Sequence, residues 1–232
     1  MSQLHKDIVI FLGPPGSGKG SLSQLCVRRL GWMQFSTGNL CREHIANATD
    51  IGKQIDFAIK CGKLISDSLI IEMVEEWLRL QLMQPRAIIL DGFPRTTVQA
   101  TALHKLLKSD DFKDVNLHVV KMSVPDERII KRLSARLICR NNKCQAVYSL
   151  HPEASLKPRQ EMVCNECEDI LVRRPDDEEN AIKERLLIYH KHELDLINFY
   201  TSVDQPITLL NVERSLEDVY AQLINCVGVE FS

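Results

Sequence analysis

A glycine-rich loop is the feature that most constrains how this chain of 232 residues can fold. It reads Gly13-Pro14-Pro15-Gly16-Ser17-Gly18-Lys19, follows an apolar, β-branched run at residues 7–12 and precedes a helical pattern. Small residues let consecutive backbone N–H groups curl around a phosphate, and the N-terminus of the following helix adds a positive dipole. A plain strand-to-helix turn is the alternative. The strand, the spacing, the lysine and the helix all favour a phosphate-binding loop.

Strand and helix patterns alternate along most of the chain. Further strands are predicted at residues 86–90, 115–124 and 207–211. This alternation predicts an α/β fold, with βαβ units building a parallel sheet that carries helices on both faces in three layers. Helices are predicted at residues 19–30, 37–45, 51–60, 69–83, 96–107, 125–137, 176–200 and 216–227.

Four cysteines lie in residues 139–174, a polar stretch that breaks this alternation and is predicted to be an inserted subdomain. Cys139 and Cys144 form one pair, and Cys164 and Cys167 form a second pair nineteen residues further on. Two chelating pairs at such a separation can build a tetrahedral zinc site. Four thiolates would close that site, so the predicted role is structural. Four free thiols, two redox-labile pairs, or His151 as a substitute ligand are the alternatives.

Charge and hydropathy limit the partners and the location of the chain. Lys and Arg total 29 and Asp and Glu total 31, so no bulk attraction to nucleic acid or to an acidic membrane is expected. The first apolar run is too short for a signal peptide, and no stretch approaches the roughly 20 apolar residues that span a bilayer. The expected location is the cytoplasm, where clustered cysteines indicate a metal more than disulfides.

The loop departs from the general phosphate-binding pattern in one position. Gly20 follows Lys19 where Ser or Thr normally ligates Mg²⁺, and Ser21 comes one residue later. In this the sequence resembles the adenylate kinase family, whose loop reads G-x-P-G-x-G-K-G-T. The resemblance implies that Mg²⁺ is held mainly by the ATP phosphates and water. The ATP-binding residues that it implies here are Gly13, Gly16, Ser17, Gly18, Lys19, Gly20 and Ser21.

Two segments after the first helix resemble the AMP-binding part of that family. Residues 36–42 resemble S-T-G-D-x-x-R, which implies that Thr37 and Arg42 contact AMP, although Asn39 stands where the family has Asp. On their own, Thr37 would be read as a helix cap and Arg42 as a solvated cation. Residues 61–65 resemble the segment that lines the AMP sugar and base. The residues implied there are Lys63, Leu64 and Ile65.

The run D-G-F-P-R at residues 91–95 also matches the family. Asp91 ends a predicted parallel strand, at the edge of the sheet where ligands bind, and an acid there can order Mg²⁺ through water. Arg95 can fork onto the AMP phosphate, and the resemblance implies that Gln99 reads adenine. A plain exposed helix residue is the alternative for Gln99. The implied AMP contacts in the same run are Gly92, Phe93 and Pro94.

Further arginines match family positions around a lid. Arg132 and Arg136 are four residues apart on the helix predicted at 125–137 and are therefore expected to share one helical face. The family has R-x-x-x-R here, which implies ATP contacts for both. Arg174 matches the arginine at which the family's chain leaves the lid, and Arg185 matches a further catalytic arginine of the family. The resemblance implies that both also contact AMP. The resemblance also assigns ATP contacts to Val147, Tyr148 and Arg214.

The resemblance therefore implies an adenylate kinase, which reversibly transfers the γ-phosphoryl group of ATP to AMP and forms two ADP. The acceptor phosphate is already anionic, so catalysis needs positioning and charge stabilisation and no general base. The expected domains are a core (1–35, 66–134, 178–232), an AMP-binding helical insert (36–65) and a zinc-ribbon-like lid (135–177). The chain is expected to be a monomer. The predicted catalytic residues are Lys19, Arg95, Arg136, Arg174 and Arg185.

Two alternatives to this function stay open. The first is another nucleoside monophosphate kinase, although the insertion at 139–174 is long for a pyrimidine kinase, and guanylate kinases lack the D-G-F-P-R and S-T-G context. The second is a nucleotide-sensing or nucleic-acid-binding module that uses the zinc ribbon as its surface. Arg140 and Lys143 could contact phosphates there, but acidic residues accompany them and aromatic residues for stacking are scarce.

Overall fold

The structure is a computed structural model that describes residues 6–60, 65–81, 86–141, 144, 146–151, 154 and 156–228. Its strands, in chain order, are β1 (Lys6–Leu12), β2 (Met33–Ser36), β3 (Ile88–Asp91), β4 (Val115–Ser123), β5 (Arg136–Cys139), β6 (Val147–Ser149), β7 (Leu171–Val172) and β8 (Ile207–Asn211). Its α-helices are α1 (Lys19–Leu30), α2 (Thr37–Ala46), α3 (Asp50–Lys60), α4 (Asp67–Gln81), α5 (Thr97–Leu107), α6 (Asp126–Ser134), α7 (Glu179–Ser202) and α8 (Leu216–Val227).

Five strands form a parallel sheet in the order β2-β3-β1-β4-β8. The central strand β1 places Ile10 opposite Leu90 of β3 and Val119 of β4. Side chains of β1 alternate between two cores, which are covered by α1, α6 and α8 on one face and by α2 to α5 on the other. The prediction of a three-layer α/β fold is thereby confirmed. The loops that follow β1 and β3 lie at the same edge of the sheet.

Strand β2 lies at an edge of this sheet and was not predicted by the sequence pattern. It is four residues long and pairs with β3, so that Phe35 lies opposite Leu90 and Ser36 opposite Asp91. Only Phe35 of the four is buried, which leaves little apolar alternation for a pattern to detect. The strand matters for function because it brings Gln34 beside the end of β3.

The lid contains a second sheet, antiparallel, in the order β6-β5-β7. Arg136 lies on β5 in this sheet and not on α6, which ends at Ser134, so the prediction that Arg132 and Arg136 share a helical face is wrong. Pairing of Leu137 with Tyr148 of β6 holds the segment extended. Such distant pairing overrides a local helical pattern. The buried core of the lid consists of Leu137, Cys139, Tyr148, Cys164 and Leu171.

Helix α7 begins at Glu179, three residues later than predicted, because Pro175–Asp177 forms a 3₁₀ turn. The helix is long enough to reach both cores, with Leu186 in one and Tyr200 in the other. It leads out of the lid, whereas α6 leads into it. Within the residues that the structure describes, every helix is too short or too polar to cross a membrane.

Candidate active site

The glycine-rich loop leaves β1 and packs tightly against β4 and α6. Gly16 and Gly18 have φ angles of +81° and +105°, which side-chain-bearing residues rarely adopt. A Cβ atom on Gly13 would lie 2.8 Å from the carbonyl oxygen of Met122, and one on Gly16 would lie 2.8 Å from Cγ of Leu133. The loop therefore accepts no larger residue at these positions. Its backbone carries no side chain of its own there as it leads into the N-terminus of α1.

Lys19 is the first residue of α1 and folds back over this loop. Its Nζ donates to the carbonyl oxygens of Gly13 and Pro14, each at 2.7 Å. Burial, opposed by Asp91 and aided by Arg95, Arg185 and Arg136, lowers the pKa of Lys19 to about 8. The ammonium group therefore lies where positive charge from several elements converges.

Asp91 ends β3 beside the same loop. Its Oδ2 accepts a hydrogen bond of 3.3 Å from Nε2 of Gln34 and lies 3.6 Å from the point that a Cβ atom on Gly20 would occupy. Carboxylate oxygens are the ligands that Mg²⁺ prefers, directly or through water. The donor chemistry at this corner therefore fits Mg²⁺ bound with a nucleotide. Gln34 was missed by sequence reasoning because only the sheet brings it to Asp91.

The acceptor side of the cleft begins at the N-terminus of α2. Thr37 is buried and donates from Oγ1 to the carbonyl oxygen of Gly92 at 3.2 Å. Asn39 Oδ1 accepts from Nη2 of Arg42, so the amide at the position of the family Asp still orients this arginine. Burial lowers the pKa of Arg42, Asp176 opposes this, and Arg136 of the lid and Arg185 of α7 lower it further. Arg42 thus lies within electrostatic reach of the lid.

Arg95 and Gln99 occupy the turn between β3 and α5. Arg95 Nε donates to the carbonyl oxygen of Gly92 at 2.8 Å, and burial of its charge lowers its pKa while Asp91 opposes this. Gln99 is only 5% exposed, so the alternative of an exposed helix residue is wrong. Phe93 and Pro94 are buried below them, and Ile65 is half-buried. The predicted AMP residues Lys63 and Leu64 lie outside the described residues.

The arginines of the lid and of α7 surround two aspartates. Arg136 forms a two-pronged ion pair with the buried Asp177, with distances of 2.8 Å and 2.6 Å. Arg185 Nη1 lies 3.0 Å from Oδ2 of Asp176 and 3.4 Å from Oδ1 of Asp177. Burial lowers the pKa of Arg174 to about 10, and Arg136 and Arg42 contribute to the shift. Arg136, Arg174 and Arg185 are therefore brought together as predicted, whereas the role of the two aspartates was not foreseen.

The residues predicted for ATP beyond the loop lie in three places. Arg132 Nη2 donates to the carbonyl oxygen of Val212 after β8, and Arg214 is exposed two residues later in the same loop. Val147 is half-buried on β6. Tyr148 is buried in the lid core, where its hydroxyl group accepts from the backbone N–H of Asn165 at 2.9 Å. The phenol ring of Tyr148 therefore supports the lid, and its backbone pairs with Leu137 of β5.

The four lid cysteines form one cluster. Their sulfur atoms all lie within 4.8 Å of one another, with Sγ–Sγ distances of 3.4 Å for Cys139 and Cys167 and 3.7 Å for Cys144 and Cys164. Four sulfurs about 2.3 Å from a tetrahedral zinc ion are separated by about 3.8 Å. The donor set and its dimensions therefore fit zinc. The remaining alternative ligand, His151, is not part of this cluster.

Comparisons with known proteins point to one family. The family model described as adenylate kinase matches residues 11–205. The adenylate kinase of Borrelia turicatae (strain 91E135) is 34% identical over 220 residues, covering 95% of this chain and 98% of that protein. The one from Treponema denticola is 40% identical, covering 84% and 87%, and the one from Archaeoglobus fulgidus is 39% identical, covering 83% and 85%.

Proposed function

We propose, because the chain belongs to the adenylate kinase family, that it reversibly transfers the γ-phosphoryl group of ATP to AMP and forms two ADP. The observation that carries the proposal is the convergence of positive charge on the glycine-rich loop. Lys19 shares the cleft with Arg95, Arg136 and Arg185, which come from three elements that are distant in sequence. Two nucleotides carrying phosphate chains are the substrates that such a cleft can neutralise.

In this proposal ATP places its phosphates on the loop, where the backbone N–H groups and Lys19 receive them. Arg132 of α6 donates to the carbonyl oxygen of Val212, in the loop after β8 that also carries Arg214, and both arginines are assigned to the side of the ATP base. Val147 and Tyr148 are assigned to cover the nucleotide from the lid. The support is positional, since the glycine-rich loop and the loop that carries Arg214 both follow strands of the parallel sheet and so meet at one edge of it.

AMP is assigned to the opposite side of the cleft. Its phosphate is taken by Arg42 and Arg95, and Thr37, Gly92 and Ile65 line the rest of the nucleotide, together with Lys63, Leu64, Phe93 and Pro94. The support is that Thr37 and Arg95 both hydrogen-bond to the carbonyl oxygen of Gly92, which joins the N-terminus of α2 to the turn before α5. Gln99 is assigned to the adenine base.

Transfer then requires alignment of the two phosphates and stabilisation of the moving phosphoryl group. Arg136, Arg174 and Arg185 approach from the lid and from α7 while Lys19 and Arg95 hold the other side. Their positive charges stabilise the transition state in a cleft from which water is excluded, where such interactions are stronger than in bulk water. No side chain has to remove a proton, because the attacking phosphate oxygen is already ionised.

Two metals complete the proposal. Adenylate kinases use Mg²⁺ with ATP, and here Asp91, oriented by Gln34, would hold it through water beside the loop. Bound Mg²⁺ supplies charge neutralisation at the phosphates. Zinc is assigned to the four cysteines, in a structural role, because four thiolates leave no open position for chemistry. Among the lid residues that the structure describes, the core has five buried side chains, and such a small unit benefits from a metal.

The acceptor assay tests the activity. With MgATP saturating, we expect AMP to be phosphorylated with a higher kcat/KM than CMP, UMP or GMP. Lys19→Met is expected to lower kcat by about 100-fold or more, as loss of a transition-state donor does. Lys183→Met removes an exposed lysine of α7 and serves as the control. A preference for another acceptor, or near-normal activity of Lys19→Met, would refute the proposal.

Elemental analysis tests the zinc site. We expect about one zinc per chain, lost together with lid stability in Cys144→Ser. Cys226→Ser changes an exposed cysteine outside the cluster and is expected to keep both metal and melting temperature. Purified protein without zinc and with all four lid thiols titratable would contradict the assignment. The monomeric state, the cytoplasmic location and the domain limits remain predictions from the sequence.

A further inference from the structure

Asp67, the first residue of α4, connects α4 to the first turn of α5. Its Oδ1 accepts a hydrogen bond of 2.7 Å from Nε2 of Gln99, and its Oδ2 accepts one of 2.9 Å from the hydroxyl group of Thr96. Gln99 Oε1 in turn accepts from the backbone N–H of Arg95 at 2.7 Å. The side-chain amide of Gln99 is therefore held at both of its ends.

These two contacts allow only one orientation of the amide. A backbone N–H can only donate, so the carbonyl oxygen of Gln99 must face Arg95. An ionised carboxylate can only accept, so the NH₂ group must face Asp67. A rotated amide would bring its oxygen against the carboxylate and its NH₂ group against the N–H of Arg95. Because Gln99 is buried, water does not compensate for the lost partners.

The fixed amide of Gln99 has one N–H and one oxygen lone pair that bind neither Asp67 nor Arg95. Because the amide cannot rotate, the position of this donor relative to this acceptor is set. Adenine presents an acceptor at N1 beside a donor at its 6-amino group, which match an amide N–H and an amide oxygen. A 6-oxopurine presents the reverse order, with a donor at N1 and an acceptor at O6. An amide that was free to rotate would serve both bases equally.

We propose that Asp67 is the positioning residue that makes the acceptor site selective for adenine over 6-oxopurines, by fixing the orientation of the Gln99 amide. The inference rests on the proposed function, since it takes AMP as the acceptor and Gln99 as the residue facing its base. Asp67 itself does not touch the nucleotide. Its carboxylate acts through Gln99, and the second hydrogen bond, from Thr96, keeps that carboxylate in place.

A purely structural reading of the same contacts exists. Thr96 and Gln99 have the spacing of a helix capping box, and Thr96 Oγ1 accepts from the backbone N–H of Gln99 at 3.2 Å. In a capping box, however, the glutamine side chain returns to the N–H of the cap residue, whereas Gln99 bonds to the N–H of Arg95, one residue earlier. If capping were the whole role, loss of Asp67 would affect all acceptors alike.

The test compares AMP with IMP, which differs only at the edge that the amide reads. We measure kcat/KM for both acceptors at saturating MgATP in wild type and in Asp67→Asn, whose amide can donate as well as accept. We expect the IMP-to-AMP ratio of kcat/KM to rise by about tenfold or more, through a higher KM for AMP, with KM for ATP within about twofold of wild type. Asp50→Asn makes the same change in the first turn of α3, at a side chain that is 92% exposed, and should leave the ratio unchanged.

Two results would overturn the inference. One is an IMP-to-AMP ratio in Asp67→Asn within about twofold of wild type, and the other is an equal rise in Asp50→Asn. If Asp67→Asn fails to fold, Asp67→Ser provides the same test, because a hydroxyl group also donates and accepts and favours a helix start. Wild-type protein that does not phosphorylate AMP would refute the proposed function itself. A wild type that prefers AMP, with an unchanged ratio in both Asp67 variants, would refute the inference alone.

Discussion

Lys19 is expected to lose its proton within the pH range in which the activity is measured. Burial, aided by Arg95, Arg185 and Arg136, lowers its pKa in the free protein to about 8, against the opposing effect of Asp91. The charged form is therefore present below pH 8 and lost above it. A pKa of about 8 leaves about nine-tenths of the molecules charged at pH 7 and about one-tenth at pH 9. Because a neutral amine does not attract phosphate, kcat/KM for ATP should fall about tenfold across this interval.

The assay is kcat/KM for ATP at saturating AMP, measured from about pH 6.5 to 9.5 at constant ionic strength. Phosphate ionisation is complete well below pH 8, so the substrates do not change charge across the decline. Bound ATP phosphates favour the protonated form of Lys19 and so raise its pKa in the ATP complex. For this reason kcat/KM for AMP, measured at saturating ATP, should stay level to a higher pH than kcat/KM for ATP. Lys19→Arg keeps its charge throughout, and its activity, although lower, should not decline across this range.

Two results would refute this reasoning. The first is a wild-type kcat/KM for ATP that stays level to about pH 9.5, because Lys19 would then be a cation of ordinary pKa. The second is a similar decline in Lys19→Arg, which would assign the titration to another group. In either case Lys19 would still lie at the loop, but the lowering of its pKa by burial would not control ATP binding.

Two further perturbations test the loop and the magnesium corner. Gly16→Ala combines a φ of +81° with a Cβ atom 2.8 Å from Leu133, and should cost about 2–5 kcal/mol of unfolding free energy, measured by denaturant unfolding. Gly31→Ala, at a φ of +64° with nothing within 4 Å of its Cβ position, should cost only about 1–2 kcal/mol; equal losses would contradict the clash. Gln34→Leu removes the donor to Asp91 and should weaken activation by Mg²⁺ about tenfold in a Mg²⁺ titration, with KM for AMP unchanged. A Mg²⁺ response like that of wild type would show that Gln34 does not orient Asp91.

The parts of the fold that could be predicted from sequence are those encoded locally. The predicted bounds of α1 and α8 agree with the structure, because glycines follow both helices and their apolar positions repeat with helical period. The strand β5 could not be predicted. It carries Arg136 and exists only because β6 and β7, which lie further along the chain, pair with it.

The candidate site likewise contains residues that a local motif indicates and residues that only the fold brings into place. The glycine-rich loop, Asp91 and Arg95 belong to short contiguous motifs, so their chemistry is readable from the sequence alone. Gln34, Asp67 and Asp177 act on other predicted site residues, namely Asp91, Gln99 and Arg136, across distances of 57, 32 and 41 positions. No local pattern indicates such partners. A sequence pattern therefore misses the residues that orient the predicted functional groups, whereas the short motifs carry several of those predicted groups themselves.

The buried Asp177 explains how a cleft so rich in arginine can exist before nucleotides enter. Unpaired guanidinium groups would repel each other, and an unpaired buried charge is strongly destabilising. Asp177 removes this cost for Arg136 and Arg185 and holds both in fixed directions. In the described part of the chain, Nε of Arg174 is buried without a hydrogen-bond partner. In the proposed reaction, a phosphoryl group would therefore meet two arginines that an acid already orients, which would lower the reorganisation that transfer requires.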